Sequence, residues 1–212
     1  MNNKARIRIV SFCMIGIVVF SVHTYLNNII LISKTNLNNE IYGIIDDSLP
    51  KEIENVIYIK SDYNSQKAES HGEKLCEFAN NNYKNFKIYY YSAEVDGKIN
   101  SQSIIRGLNE LINKNVKKIN ISLSSKIYSD DLQNWISEHK DIKIYASYNN
   151  RINTYDYPAM YEEVIASGEY NEITQFKEID VKYRSQNIIG LTPLKKYSGN
   201  SFLSLVSMFD NK

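Results

Sequence analysis

Three residues that together could turn a serine hydroxyl into a nucleophile lie far apart in this sequence. Asp46 closes the apolar run Ile44-Ile45-Asp46-Asp47-Ser48, His71 opens a helix-like run in Ser70-His71-Gly72-Glu73, and Ser201 sits near the C-terminus in Ser198-Gly199-Asn200-Ser201. A serine hydroxyl is a weak nucleophile until a neighbouring imidazole takes its proton. The imidazole in turn needs a carboxylate to fix its tautomer and stabilise its charged form. Asp, His, Ser is one of three chain orders in which unrelated folds assemble that arrangement. The chemistry would be hydrolysis through a serine nucleophile, on condition that the three side chains meet. Each motif alone is weak, because an aspartate after a strand also serves as a turn residue or helix cap. Asp62 competes for the acid role, but it lies in a polar run whose plain reading is a solvated loop. Asp47 is expected to point to the opposite side of the turn and stabilise it. His139 and His23 read as a helix-end and an anchor-end residue.

The elements around these residues alternate in type. Strand-like runs are Ile41 to Ile45, Val56 to Ile59, Phe86 to Tyr91, Lys118 to Leu123 and Ile142 to Ala146, with a short apolar run Val164 to Ala166. Helix-like runs are Gly72 to Asn80, Ser101 to Ile112 and Ser129 to Glu138. The second carries Ile104, Ile105, Leu108, Leu111 and Ile112 at helical spacing. Such alternation implies an α/β fold, a mostly parallel sheet with helices on both faces. Active groups then gather beyond the carboxyl ends of the strands. Asp46 follows one such strand, Ser122 ends another and Asn149 lies just beyond a third.

The chain has 212 residues, enough for one domain with a real core. Its 25 basic and 24 acidic residues leave a formal charge of +1, which offers no field to attract nucleic acid. Cys13 and Cys76 do not make a disulfide framework, and the three histidines lie too far apart in sequence for a metal-ligand pattern. No cofactor or metal is expected. Lys4, Arg6 and Arg8 precede an almost wholly apolar run from Ile9 to Val22, and no charge follows until Lys34. A bilayer crossing needs about 20 residues of helix. Residues 1–33 are therefore expected to form a cytoplasmic tail and a transmembrane anchor, with residues 34–39 as a polar linker and 40–212 as one folded domain. The basic flank should stay cytoplasmic, which makes this a single-pass protein with an extracytoplasmic domain. A cleaved signal peptide is the competing reading, disfavoured because no small-x-small pair follows Phe20.

From about Glu40 to Phe209 the chain resembles the subtilisin-like serine peptidases, or subtilases. Ile44-Ile45-Asp46-Asp47-Ser48 is similar to the family's aspartate motif, and Ser70-His71-Gly72 to its His-Gly-Thr motif. Lys118-Ile119-Asn120-Ile121-Ser122-Leu123-Ser124 resembles the strand that lines the substrate cleft. Ile144-Tyr145-Ala146-Ser147-Tyr148-Asn149 resembles the strand that ends in the oxyanion-hole asparagine. Tyr157-Pro158-Ala159 followed by Val164-Ile165-Ala166-Ser167-Gly168 resembles a further family segment, and Gly199-Asn200-Ser201 the Gly-Thr-Ser of the nucleophile.

The resemblance implies a three-layer subtilisin-like fold, preceded here by one transmembrane helix. It implies a serine endopeptidase acting on a peptide or protein substrate. Asp46, His71 and Ser201 would be the triad, Asn149 the oxyanion donor, and Ser122, Leu123 and Ser124 the cleft wall. The chain also departs from the family pattern. Ser48 stands in place of a glycine, where a left-handed turn would strain it. Glu73 and Lys74 replace a Thr-His pair, while Ser124 and Tyr148 replace glycines and are expected to narrow the primary pocket. Ser204-Leu205-Val206 replaces Ser-Pro-His. No inhibitory propeptide is expected between anchor and domain, and the family's C-terminal helix is expected to be missing. These departures motivate an alternative, a catalytically inactive subtilase-like protein that binds peptides. A nucleotide-binding α/β domain is disfavoured, since no Gly-x-Gly-x-x-Gly or Gly-x-x-x-x-Gly-Lys loop occurs.

Overall fold

The computed structural model describes residues 29–48, 52–59, 70–149, 156–168, 187–191 and 194–210. In chain order the elements are β1 (Ile29–Ile32), β2 (Thr35–Asp46), β3 (Val56–Ile59), α1 (His71–Asn82), β4 (Tyr83–Ser92), α2 (Ser101–Ile112) and β5 (Lys118–Ile121). They continue as α3 (Asp130–Glu138), β6 (Lys143–Ser147), β7 (Ile165–Ser167), β8 (Asn187–Leu191), β9 (Leu194–Ser198) and α4 (Asn200–Asp210).

Six strands form a sheet in the order β3-β4-β2-β5-β6-β7, and every neighbouring pair is parallel. From β2 the chain steps out to the edge strand β3, returns to β4 beside β2, and then crosses to the other side for β5, β6 and β7. The strand order therefore switches direction at β2. A crevice opens beyond the carboxyl end of a strand at such a switch, and Asp46 is the last residue of β2.

Alternation along the strands divides the core into two apolar layers. Ile44, Ile88, Tyr90 and Tyr145 face one side, where they pack with Leu75, Cys76 and Phe78 of α1 and Leu203, Leu205 and Val206 of α4. Ile45, Tyr91, Ile119, Ile121 and Ala146 face the other, with Ile104, Leu108 and Leu111 of α2 and Leu132, Trp135 and Ile136 of α3. Helices thus cover both faces. A fully buried aliphatic side chain contributes about 1.5–3 kcal/mol, so these two layers fix the helices to the sheet. The helix starts are set by side chains. Asn100 and Ser103 make a reciprocal capping box for α2, and Ser129 accepts from the Leu132 N–H at the start of α3.

A second, three-stranded sheet has the order β1-β8-β9, with β1 parallel and β9 antiparallel to β8. Ile32, Ile188 and Tyr197 carry it onto the α1–α4 side of the core.

Two expectations are corrected at the N-terminal end. Residues 34–39, expected as a linker, fall mostly within β2, where Thr35 and Asn36 pair with Tyr83 and Lys84. The polar stretch is exposed on both flanks of Leu37, and Asn38 and Asn39 take left-handed φ of 54° and 62° at a register shift. That irregularity hides the strand period from the sequence. Ile29–Ile32, expected as the end of an anchor, forms β1 instead. A short run of branched apolar residues reads the same at a helix end as in a strand. The run from Ile9 to Val22 lies outside the described residues, and among the described residues no helix is long and apolar enough to cross a membrane. β8 and β9 were not foreseen.

Candidate active site

The Asp46 carboxylate is completely buried at the end of β2. One oxygen accepts the Asp47 backbone N–H at 2.7 Å, and the other lies 2.8 Å from Nδ1 of His71. The first bond leaves the carboxylate aimed at the second. Because a carboxylate accepts, the imidazole proton on this side sits on Nδ1, which presents Nε2 as the basic nitrogen. His71 is the first residue of α1, and its side chain keeps 40% of its surface exposed. One end of the ring is thus held in the protein and the rest remains accessible.

The electrostatics follow from this geometry. Burial alone pulls the His71 imidazole down, but the Asp46 hydrogen bond and charge, helped by the charge of Asp47, outweigh it. The net direction is above the ordinary histidine value of 6.5. Burial raises the Asp46 carboxyl, and its bonds from His71 and the Asp47 N–H act in the opposite sense.

Local sequence explains why α1 starts where it does. Ser70 is its N-cap and accepts the Glu73 N–H at 3.1 Å. The Ser70 hydroxyl lies 3.3 Å from both the Asp47 carboxylate and the Ser48 carbonyl. Asp47 Oδ1 also accepts the Gly72 N–H at 3.4 Å. Asp47 therefore reaches the start of the histidine's helix, rather than stabilising only its own turn. Negative charge is favoured at a helix N-terminus. Gly72 has no room for a side chain, because a Cβ there would overlap the hydroxyl and ring of the buried Tyr90. The Tyr90 hydroxyl donates to the Ser48 carbonyl at 2.9 Å. The strain anticipated at Ser48 is absent: the non-glycine residues with left-handed φ among the described ones are Asn38, Asn39, Asn55, Asn85, Asp96 and Asn115.

The expected cleft residues follow β5. Ser122 is buried, and its N–H donates to the Ile45 carbonyl at 3.3 Å, beside Asp46. Leu123 is half-buried and Ser124 exposed. Asn149 is half-buried beyond β6, and its backbone N–H donates to the buried Asp156 carboxylate at 3.0 Å. Tyr148 packs close to Gly168 and donates its hydroxyl to Met160 Sδ at 3.2 Å.

Ser201 is half-buried in the first turn of α4. Gly199, at φ 119°, makes the turn out of β9 that a side chain would resist. Two connections tie α4 to the strand ends. The Asn200 side-chain amide donates to the carbonyls of Tyr148 and Asn149, each at 3.0 Å. The Ser204 hydroxyl donates to the Asn120 side-chain carbonyl, and the Asn120 amide donates to Ser122. Asp46 and His71 are thus hydrogen-bonded where β2 ends and α1 starts. Asn200, the neighbour of Ser201 at the start of α4, bonds the Asn149 carbonyl beyond β6. Asn120 and Ser122 connect Ser204 of α4 to the strand end at Ile45.

Sequence reasoning assigned no role to Asn200, Asp156 or Asn120. The one available signal was Asn200 in place of the family's threonine beside the nucleophile. Asp62 lies outside the described residues. Cys76 is buried in the core, and burial raises its thiol far above the ordinary value, which leaves it inert. Among the described residues, no three His, Cys, Asp or Glu side chains converge as a metal site would require.

Solved structures share this architecture. The chain resembles a mutant of the protease domain of PatA, with a TM-score of 0.58 at 12% identity, over 83% of this chain and 78% of that one. It resembles the prenylagaramide maturation protease PagA with a TM-score of 0.56 at 13% identity, over 81% and 73%. It also resembles a psychrophilic subtilisin-like protease from the Antarctic psychrotroph Pseudoalteromonas sp. AS-11, with a TM-score of 0.52 at 17% identity, over 73% and 41%. Identities this low speak for the fold. Among curated proteins nothing matches the chain. A family model described as the subtilase family matches residues 25–203. That span starts just before β1 and ends inside α4, so it includes Asp46, His71, Asn149 and Ser201. The chain belongs to the subtilase family, and by class it is a subtilisin-like serine peptidase.

Proposed function

We propose that this chain is a serine endopeptidase that cleaves peptide bonds with Asp46, His71 and Ser201 as its triad. The observation that carries the reading is the 2.8 Å hydrogen bond between a fully buried carboxylate and the imidazole of a half-exposed histidine. His71 takes the Ser201 hydroxyl proton as the oxygen attacks the scissile carbonyl, then gives that proton to the leaving amine. Asp46 keeps the proton on Nδ1 and stabilises the imidazolium. The Asn149 side-chain amide and the Ser201 N–H, at the positive end of α4, take the charge of the tetrahedral oxyanion. Water, activated by His71, then releases the acyl group from Ser201. Ser122, Leu123 and Ser124 line the cleft in this reading.

The N-terminal residues tether the domain to a membrane in the same proposal. Lys4, Arg6 and Arg8 stay cytoplasmic, and the apolar run from Ile9 supplies the span, which leaves the peptidase domain on the outer side. Since β1 begins at Ile29, the domain would sit directly on the bilayer surface. Removing residues 1–28 should move the chain from a carbonate-resistant membrane fraction to the soluble one. Persistence in the membrane fraction after the truncation would refute the tether.

The test of activity is hydrolysis of a mixed library of internally quenched peptides. The full chain should cleave a subset, and Ser201→Ala should abolish cleavage while retaining peptide binding. Binding without turnover in the unsubstituted chain would instead favour an inactive peptide-binding role.

A further inference from the structure

A cavity of about 450 Å³ opens beside the strand end that carries Leu123 and Ser124. Ile104 from α2 and Leu132 from α3 add apolar surface to its lining. Three tyrosines also line it. Tyr128 meets Tyr157 and Tyr161 edge-on, with ring centroids 5.2 and 5.5 Å apart, and Tyr157 and Tyr161 lie 5.0 Å apart. This wall is held in place. Tyr157 exchanges two backbone hydrogen bonds with Ser125, at 2.9 and 2.8 Å, and the Tyr161 hydroxyl bonds both the N–H and the carbonyl of Ser129 at 3.1 Å.

Among the described residues, the charged groups that line the cavity are Asp130 and Asp131, in the first turn of α3. Asp131 Oδ2 accepts the Gln102 side-chain amide at 2.7 Å. A site with apolar surface, three tyrosine rings and two exposed carboxylates suits a group that is apolar along its stem and cationic at its tip. Lysine and arginine side chains fit that description. A neutral aliphatic chain would gain the apolar contact alone, and a glutamate would be repelled. The Ser122–Ile45 backbone bond puts this strand end next to Asp46, so a peptide along the cleft can place a side chain here.

We infer that this cavity is a specificity pocket for a lysine or arginine side chain of the bound peptide, selected by Asp130 and Asp131 beside the Tyr128–Tyr157–Tyr161 wall. The inference rests on the peptidase reading for its substrate class. Its test is one of binding, so the two can fail separately. Fluorescein-labelled decapeptides of alternating Ala and Ser, with one lysine scanned through every position, are titrated by anisotropy against full-length Ser201→Ala protein. Norleucine and glutamate versions serve as comparisons. At one position lysine should bind about tenfold more tightly than norleucine, and glutamate more weakly than either.

In Asp130→Asn/Asp131→Asn the lysine advantage should vanish while norleucine binding stays the same. Glu110→Gln/Glu138→Gln removes the same charge elsewhere and should leave the advantage intact. Melting temperatures of both variants check that they fold. No lysine preference at any position, no peptide binding at all, or a preference that survives in Asp130→Asn/Asp131→Asn overturns the inference. Failure of the unsubstituted chain to hydrolyse peptides, with the lysine preference present, would sink the peptidase reading alone.

Discussion

His71 must be neutral to accept a proton, yet its surroundings favour the charged ring. Asp46 and Asp47 together hold its pKa above 6.5 despite burial. The sign of the pH dependence follows. Activity should be absent well below that raised value and should appear as pH climbs through it, so the acidic limb of kcat/KM should lie above 6.5. Asp47→Asn removes one of the two supporting charges, and its acidic limb should move to lower pH. A limb that stays in place or moves up would contradict the assigned electrostatics. Asp46→Asn has a larger effect, because an amide can donate to Nδ1 and present the wrong tautomer. The expected loss is about 10⁴-fold in kcat, a scale set by related triads including subtilisin's own. Steady-state kinetics on a quenched peptide measures both variants.

The start of α1 joins the two acidic residues to the histidine. Ser70 both caps the helix and bonds the Asp47–Ser48 turn. Ser70→Ala should cost about 1 kcal/mol of stability, the usual scale for a lost cap. Gly72→Ala should cost more, about 1–3 kcal/mol, since Tyr90 is packed too tightly to yield. Urea unfolding of the two variants gives the comparison, and equal losses would show that the Gly72–Tyr90 packing is not the limiting contact. The local signals here were open to inspection in the sequence: a strand ending in Asp46, and Ser70 with Glu73 three positions later. The clamps on α4 were not. Asn200 acts on Asn149 and Ser204 on Asn120 across 51 and 84 positions, and pairing at that separation leaves no local period. β8 and β9 escaped for a related reason, since their partners are each other and a strand near the N-terminus.

Two apolar layers hold the helices to the sheet, and α4 depends on one of them. Phe209 packs against Tyr42 and Tyr83, with ring centroids 4.7 and 4.5 Å away, and against Phe86 at 6.1 Å. Phe209→Ala should cost about 3–5 kcal/mol. Denaturant unfolding should show that loss, and a change below about 1 kcal/mol would mean that α4 is anchored elsewhere. The α/β alternation of the sheet was legible because its central strands and helices are strongly periodic. The N-terminal boundary was not, because Thr35 to Glu40 is polar and bulged while Ile29 to Ile32 is apolar enough to pass for a helix end. The central claim is that Ser201 is the nucleophile served by His71. Its most direct test is mass-spectrometric mapping of a fluorophosphonate adduct on the full chain. The account predicts one adduct, on Ser201, lost in Ser201→Ala and formed at least about 10³-fold more slowly in His71→Ala. An adduct on another residue, or none on the unsubstituted chain, would contradict it.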